Sequence, residues 1–183
     1  VVNNFYNIVD QIFIGQGVNA LAITGIGVAF PIMTILMAFS MLIGIGGTSL
    51  ISIRLGQDRK EDAEHILGNA FMLLIIVTLG ISALGLIFID PLLMLFGASQ
   101  DTFGYAKDYI TIILYGAIFN TLGFGLNNMI RAEGNPKAAM LTMLLGAAIN
   151  TILDPIFIFI FDMGVKGADY ATIIAQLANT IYV

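Results

Sequence analysis

The sequence predicts an all-α integral membrane protein, a bundle of six transmembrane helices. Three observations carry that expectation. Of 183 residues, 58% are hydrophobic and only 10% charged, whereas soluble domains carry roughly 25% charged residues. Apolar runs recur along the whole chain, near the length of about 20 residues needed to cross hydrocarbon. Inside two of those runs lie carboxylates, Asp10 and Asp154, where each costs at least about 2.5 kcal/mol and so marks a functional position.

The six runs cover roughly 1–22, 28–54, 62–89, 103–129, 137–161 and 168–183. The first and last meet the chain ends while still apolar, so the expectation is a piece of a larger protein. The first carries a polar stripe, Asn3, Asn7 and Asp10, with Asn4 and Gln11 alongside and Tyr6 one turn before the carboxylate. In lipid, such a stripe marks protein contact or a water-filled cavity. The second run repeats Ser40, Gly44, Thr48, Ser52 and Gly56 every fourth residue, a ridge of small side chains that lets helix backbones approach. Asp58 with Glu61 reads as a capping box opening the third run, and acidic residues in that first turn suit the helix dipole. Gly97-Ala98-Ser99 reads as the turn into the fourth run, which aligns Tyr105, Tyr109, Gly116, Asn120, Gly123 and Asn127 on roughly one side. Gly134 ends that run, and Asn135-Pro136 supplies an N-cap with proline at the first helical position of the next. The sixth run has its own stripe: Asp169, Thr172, Gln176 and Asn179 or Thr180.

In the fifth run, Asn150 and Asp154 are four residues apart and share a helix face. Pro155 follows, without an N–H and with a ring that crowds the Thr151 carbonyl, so a kink is expected there. An amide oxygen, a carboxylate and a freed carbonyl at a broken membrane helix suit a small hard cation or a proton. The competing bland reading has Asp154 only capping a half-helix, as Asp90-Pro91 does at a membrane edge; Asp90 and Asp108 read as solvated.

Other functions are excluded by what is missing. The chain has no Cys and a single histidine, His65, so thiolate sites, disulfides and His clusters are out. No triad or nucleophile elbow is present, and an enzyme is not expected. There is no basic stripe, hence no nucleic-acid partner. Arg54, Arg59, Lys60, Arg131 and Lys137 fall in the 2–3 and 4–5 connections, Lys107 and Lys166 on the other side. That bias places both chain ends in the cytoplasm.

These stretches together resemble the multidrug and toxic compound extrusion (MATE) transporters. The match rests on Asn7-Ile8-Val9-Asp10-Gln11-Ile12-Phe13-Ile14-Gly15, on Gly46-Gly47-Thr48-Ser49 through Gly56 and Glu61, on Ile130-Arg131-Ala132-Glu133-Gly134-Asn135-Pro136-Lys137, and on Asn150-Thr151-Ile152-Leu153-Asp154-Pro155. The resemblance implies one N-terminal six-helix lobe, residues 1–183, of a twelve-helix antiporter, the C-terminal lobe being absent from this chain. It implies export of organic cations and drug-like compounds across a prokaryotic cytoplasmic membrane, against inward H⁺ or Na⁺, with no other cofactor. By position, Asp10, Asn150, Asp154 and Thr172 would bind the cation, and Tyr6, Tyr109, Asn127 and Gln176 would line the substrate cavity. Two alternatives stay open: a flippase for lipid-linked precursors, which calls for a basic cavity, and a non-transporting membrane scaffold.

Overall fold

A computed structural model describes residues 20–161, 163 and 165–182. The first run, with Tyr6 and Asp10, lies outside the described residues. Six α-helices follow: α1 Ala20–Gly56, α2 Lys60–Ile87, the short α3 Ile89–Leu95, α4 Gln100–Ala132, α5 Pro136–Pro155 and α6 Val165–Tyr182. A π-helical segment, Ile156–Ile160, continues α5. Four helices are long and apolar enough to cross a membrane, within α1, α2, α4 and α5. α6 is not among those four; Lys166, Asp169, Gln176 and Asn179 lie along it.

The bundle is built around α4. It touches every other described α-helix, and 56% of its most apolar window is buried, against 22% for α1. α1 and α2 lie on one side of it, α5 and α6 on the other. α1 buries a single stripe at helical spacing: Gly25, Ala29, Ile32, Leu36, Ser40, Ile43, Gly47 and Ile51. Phe30, Leu42 and Ile53 on its other faces are more than half exposed, as expected of side chains that meet lipid. Two apolar clusters result. One joins Ile32 and Leu36 of α1 with Leu93, Ile110 and Leu114. The other joins Ile43 and Ile51 with Leu74, Leu122 and Met129.

Between the clusters the backbones come close. A Cβ placed on Gly44 would meet the Gly125 Cα at 3.1 Å, and the Ser40 hydroxyl donates to the Thr121 carbonyl at 3.1 Å. Without a hydrophobic driving force between helices in lipid, this close van der Waals approach is what associates them. The expected every-fourth-residue ridge is therefore half right. Ser40 and Gly44 pack, but Ser52 and Gly56 are exposed and Gly47 takes over against Met129 and Ala70. The helical period of 3.6 carries a strict four-residue repeat off the buried stripe. The gap left between the first and second runs, residues 23–27, is itself helical: Gly25 lies inside α1, with its Cβ position only 2.9 Å from that of Tyr105. It is a contact glycine, and the described helix already includes Ala20, before the expected start near 28.

The turns sort by backbone geometry. Ser99 caps α4 in a reciprocal box with Thr102, and Asn135 accepts from the Ala138 N–H with Pro136 at the first turn. Gly97 and Gly134 adopt positive φ, which glycine tolerates without strain. The Asp58–Glu61 box does not form. Asp58 itself sits at φ 59, Arg59 precedes the helix, and no side chain caps it. An N-cap needs extended backbone, which a left-handed residue does not supply. Asp90 and Asp108, read as merely solvated, pair with Lys107 at 2.6 Å and Lys166 at 3.0 Å across half-exposed surface. Such pairs contribute at most about 1 kcal/mol each.

At its far end α4 is tied to α5. The buried Asn127 donates to the Ala139 carbonyl at 2.7 Å and the Thr142 hydroxyl at 2.6 Å, and accepts from Arg131 at 3.0 Å. Replacing Asn127 with Leu should destabilise the folded protein by about 1–3 kcal/mol by orphaning buried groups; thermal melting in detergent reads this. Gly44→Val should lower the melting temperature markedly, because the atom it meets is backbone and cannot yield, at about 1–3 kcal/mol. Gly46→Val, on the same helix but with open space around it, should leave the melt unchanged.

Candidate functional site

The polar chemistry gathers between α4, α5 and α6. Asn150 and Asp154 are 2% and 0% exposed. The Asn150 amide nitrogen donates to the Asp154 carboxylate and to the Thr172 hydroxyl, each at 3.2 Å. Helical i, i+4 spacing aligns the first pair, and the antiparallel packing of α5 against α6 delivers the third residue. Thus three of the four proposed cation ligands come together in one hydrogen-bonded group. The fourth, Asp10, lies outside the described residues, as does Tyr6.

Asn150 uses its nitrogen for those two bonds. Its own oxygen, buried, accepts no hydrogen bond among the described residues. An amide oxygen left open beside a carboxylate and a hydroxyl is a donor set of the kind a small hard cation takes. The donors are mixed: no cluster of three or more His, Cys, Asp or Glu side chains able to hold a metal ion occurs among the described residues. A burial cost of several kcal/mol attaches to a buried polar group without compensation.

Pro155 does not break the helix as sharply as expected. The Ile156 N–H turns back to the Leu153 carbonyl, and the chain then widens into the π turn, where the Phe161 N–H reaches Ile156. Proline removes one α-type donor, and the wide turn absorbs the mismatch. Thr151, whose carbonyl was expected to join the ligands, lies on the exposed side of α5. The bland reading of Asp154 as a cap for a new half-helix loses its basis, since helical backbone runs through Pro155 and Ile156.

Next to this group is a cavity of about 70 Å³. Its walls are Phe119, Asn120, Gly123, Phe124 and Asn127 of α4, Met143, Gly146, Ala147 and Asn150 of α5, and Thr172, Ala175, Gln176 and Asn179 of α6. It is an amide-rich space with two aromatic rings and no Lys or Arg. Glycines open it: Gly123 and Gly146 face Asn179 from opposite helices. The Thr180 hydroxyl closes one end on the Phe119 carbonyl at 2.8 Å.

The remaining expectations distribute differently. Gln176 lines the cavity. Asn127 lines it too, but its polar atoms are occupied in the α4–α5 tie, which makes it a scaffold residue at the wall. Tyr109 is elsewhere, in the apolar cluster against α1, with its hydroxyl 3.4 Å from the Met33 sulfur. Asp169 was placed on the sixth-run stripe but not in the site. It is 1% exposed, one turn before Thr172 on α6. Its signal in the sequence was the same as that of Asp154, a carboxylate at helical spacing from other polar residues, without the neighbouring Asn and Pro.

Comparison with known proteins accords with this geometry. The family model described as MatE matches residues 1–156. The multidrug export protein MepA of Staphylococcus haemolyticus is 35% identical over 171 residues, 93% of this chain and 38% of that protein. MepA of Staphylococcus aureus strain MRSA252 is 32% identical over 97% of this chain and 39% of its own length. The chain therefore spans about two fifths of these relatives. The structure of the MATE multidrug transporter DinF-BH superposes at a TM-score of 0.92, with 44% identity over 98% of this chain and 40% of that one. An outward-facing and an inward-facing multidrug resistance MATE family transporter match at 0.93 and 0.91, with 31% and 32% identity, over 99% and 97% of this chain and 40% of each of theirs. A buried polar group between apolar helices, a fold shared with transporters of the membrane, and a family match over most of its length lead to one conclusion: this chain belongs to the MatE family.

Proposed function

We propose that the chain forms the N-terminal lobe of a cation-coupled exporter of organic cations and drug-like compounds. The observation that carries this reading is the Asn150 amide, buried and bonded to both Asp154 and Thr172, with its oxygen open beside the cavity. Asp10, Asp154, Asn150 and Thr172 bind the coupling ion, H⁺ or Na⁺, which is cargo rather than a resident cofactor. Gln176, with Asn120 and Asn179, offers amide hydrogen bonds to a substrate that stacks on Phe119 or Phe124. A second lobe completes the transport path, with both ends of this lobe cytoplasmic.

Coupling follows from differential affinity. An ion alters the arrangement of this lobe only by binding one state better than another. Occupancy of Asn150 and Asp154 on α5 and Thr172 on α6 would draw those helices and the first run together, narrowing the cavity that α4, α5 and α6 share. The near-equal likeness to outward- and inward-facing transporters supports a lobe that moves largely as a unit, with the ion acting on local packing. The flippase alternative loses support from the cavity, whose walls carry no basic side chain. The scaffold alternative predicts that neutralising the buried carboxylates leaves every flux untouched.

The test is dye efflux from vesicles under an imposed H⁺ or Na⁺ gradient. Asp154→Asn should abolish gradient-driven efflux, by tenfold or more, while leaving the protein folded because the amide matches the carboxylate in shape. Coupling at the wild-type level in that variant would refute the assignment.

A further inference from the structure

Asp169 has no role in the site as described so far, although it is buried as deeply as Asp154. Three contacts fix where it stands. The Cβ position of Gly167 lies 2.9 Å from the Phe157 backbone, Asn150 bonds Thr172, and Gly146 packs on Ala175. These pairings run antiparallel in near-constant register, and the register puts Asp169 at the height of Asp154. It also lies one turn from Thr172 on the adjoining part of the same α6 face. A capping role does not explain it: α6 begins at Val165, and Asp169 is past the first turn, where a carboxylate serves the helix end. Nor does the surface ion pair next to it, in which Lys166 reaches Asp108 on the exposed rim.

Deepening the function proposed above and resting on it, we infer that Asp169 supplies a second carboxylate to the cation site, as an oxygen donor to sodium alongside Asp154, Asn150 and Thr172. Two observations meet here. One is the pair of buried carboxylates at one height on facing helices. The other is the buried Asn150 oxygen, which accepts no hydrogen bond among the described residues and belongs to the amide that bonds Asp154 and Thr172. Hard oxygen donors of this kind, two carboxylates with an amide and a hydroxyl, match the coordination preferences of small hard cations.

The experiment measures Na⁺ binding to the purified protein in detergent, for the wild type and for the variants Asp154→Asn, Asp169→Asn and Asp169→Glu. Asp169→Asn should weaken Na⁺ binding at least tenfold while eluting as folded protein. Asp169→Glu, which keeps the charge but lengthens the side chain, should bind with an altered Li⁺-to-Na⁺ preference. If Asp169→Asn binds Na⁺ as the wild type does and Asp154→Asn does not, the role of Asp169 is overturned and the Asp154 site stands. If the wild type and Asp154→Asn give the same result, including no binding, the sodium site itself is overturned, and with it the place of Asp169. Should Asp169→Asn aggregate, Asp169→Glu decides alone: unchanged affinity and unchanged ion preference overturn the inference.

Discussion

The lobe depends on one side chain that faces two ways. The Asn150 amide group has two N–H donors and one oxygen acceptor, and the structure directs both donors inward, one along α5 to Asp154 and one across to α6. Remove that bridge and the carboxylate, deep in an apolar helix, loses one of its donors, where a charge costs several kcal/mol. The bridge also fixes the separation of α5 and α6 at this height, and so sets the width of the cavity beside it. A single amide thereby joins three things that are often separate: the solvation of a charge, the docking of two helices, and the shape of a binding space.

The two sides of α4 have been given opposite chemistry. Toward α1 and α2 it offers glycine, alanine and aliphatic side chains, with a backbone approach at Gly44 and Gly125. Toward α5 and α6 it offers amides, glycines and phenylalanines. The first side is tight and the second holds an opening.

How much of this could be read from residues alone depends on how far each inference reached. Asn150 and Asp154 were legible because helical spacing fixes which side chains share a face; spacing put Thr172 on a polar stripe of the sixth run, and only the family resemblance joined it to them. Tyr109 was not. It lies eighteen residues before Asn127, five full turns, and so on the same face of α4; but α1 occupies that face at one end and α5 at the other. Spacing gives a direction from the helix axis and says nothing about which neighbour waits there. Asp58 failed for a different reason, since the capping pattern names residue types while the cap requires a backbone conformation that Asp58 does not adopt. Residues 23–27 were left out of both the first and second runs although α1 passes through them, because a glycine that breaks a helix and a glycine that lets another helix approach look alike in one sequence. Asp169 was visible as part of a stripe, but only the register between α5 and α6 raises it to the level of Asp154.

The π turn after Pro155 has a consequence for how this sequence can change over generations. A π turn holds one residue more than the α turn it replaces, so Ile156–Ile160 is a place where a helix carries a surplus residue. Loss of one residue here would let the segment relax to ordinary α geometry, whereas loss of one residue within α5 or α6 would rotate the buried face by about 100°. The surplus residue stands between Asp154 and the start of α6 at Val165. A lineage that deleted it would keep a folded helix and shift Thr172 and Asp169 out of step with Asn150 and Asp154. Length variation at this one turn is thus a route by which related lobes could keep their architecture and change which polar groups of the two helices stand level.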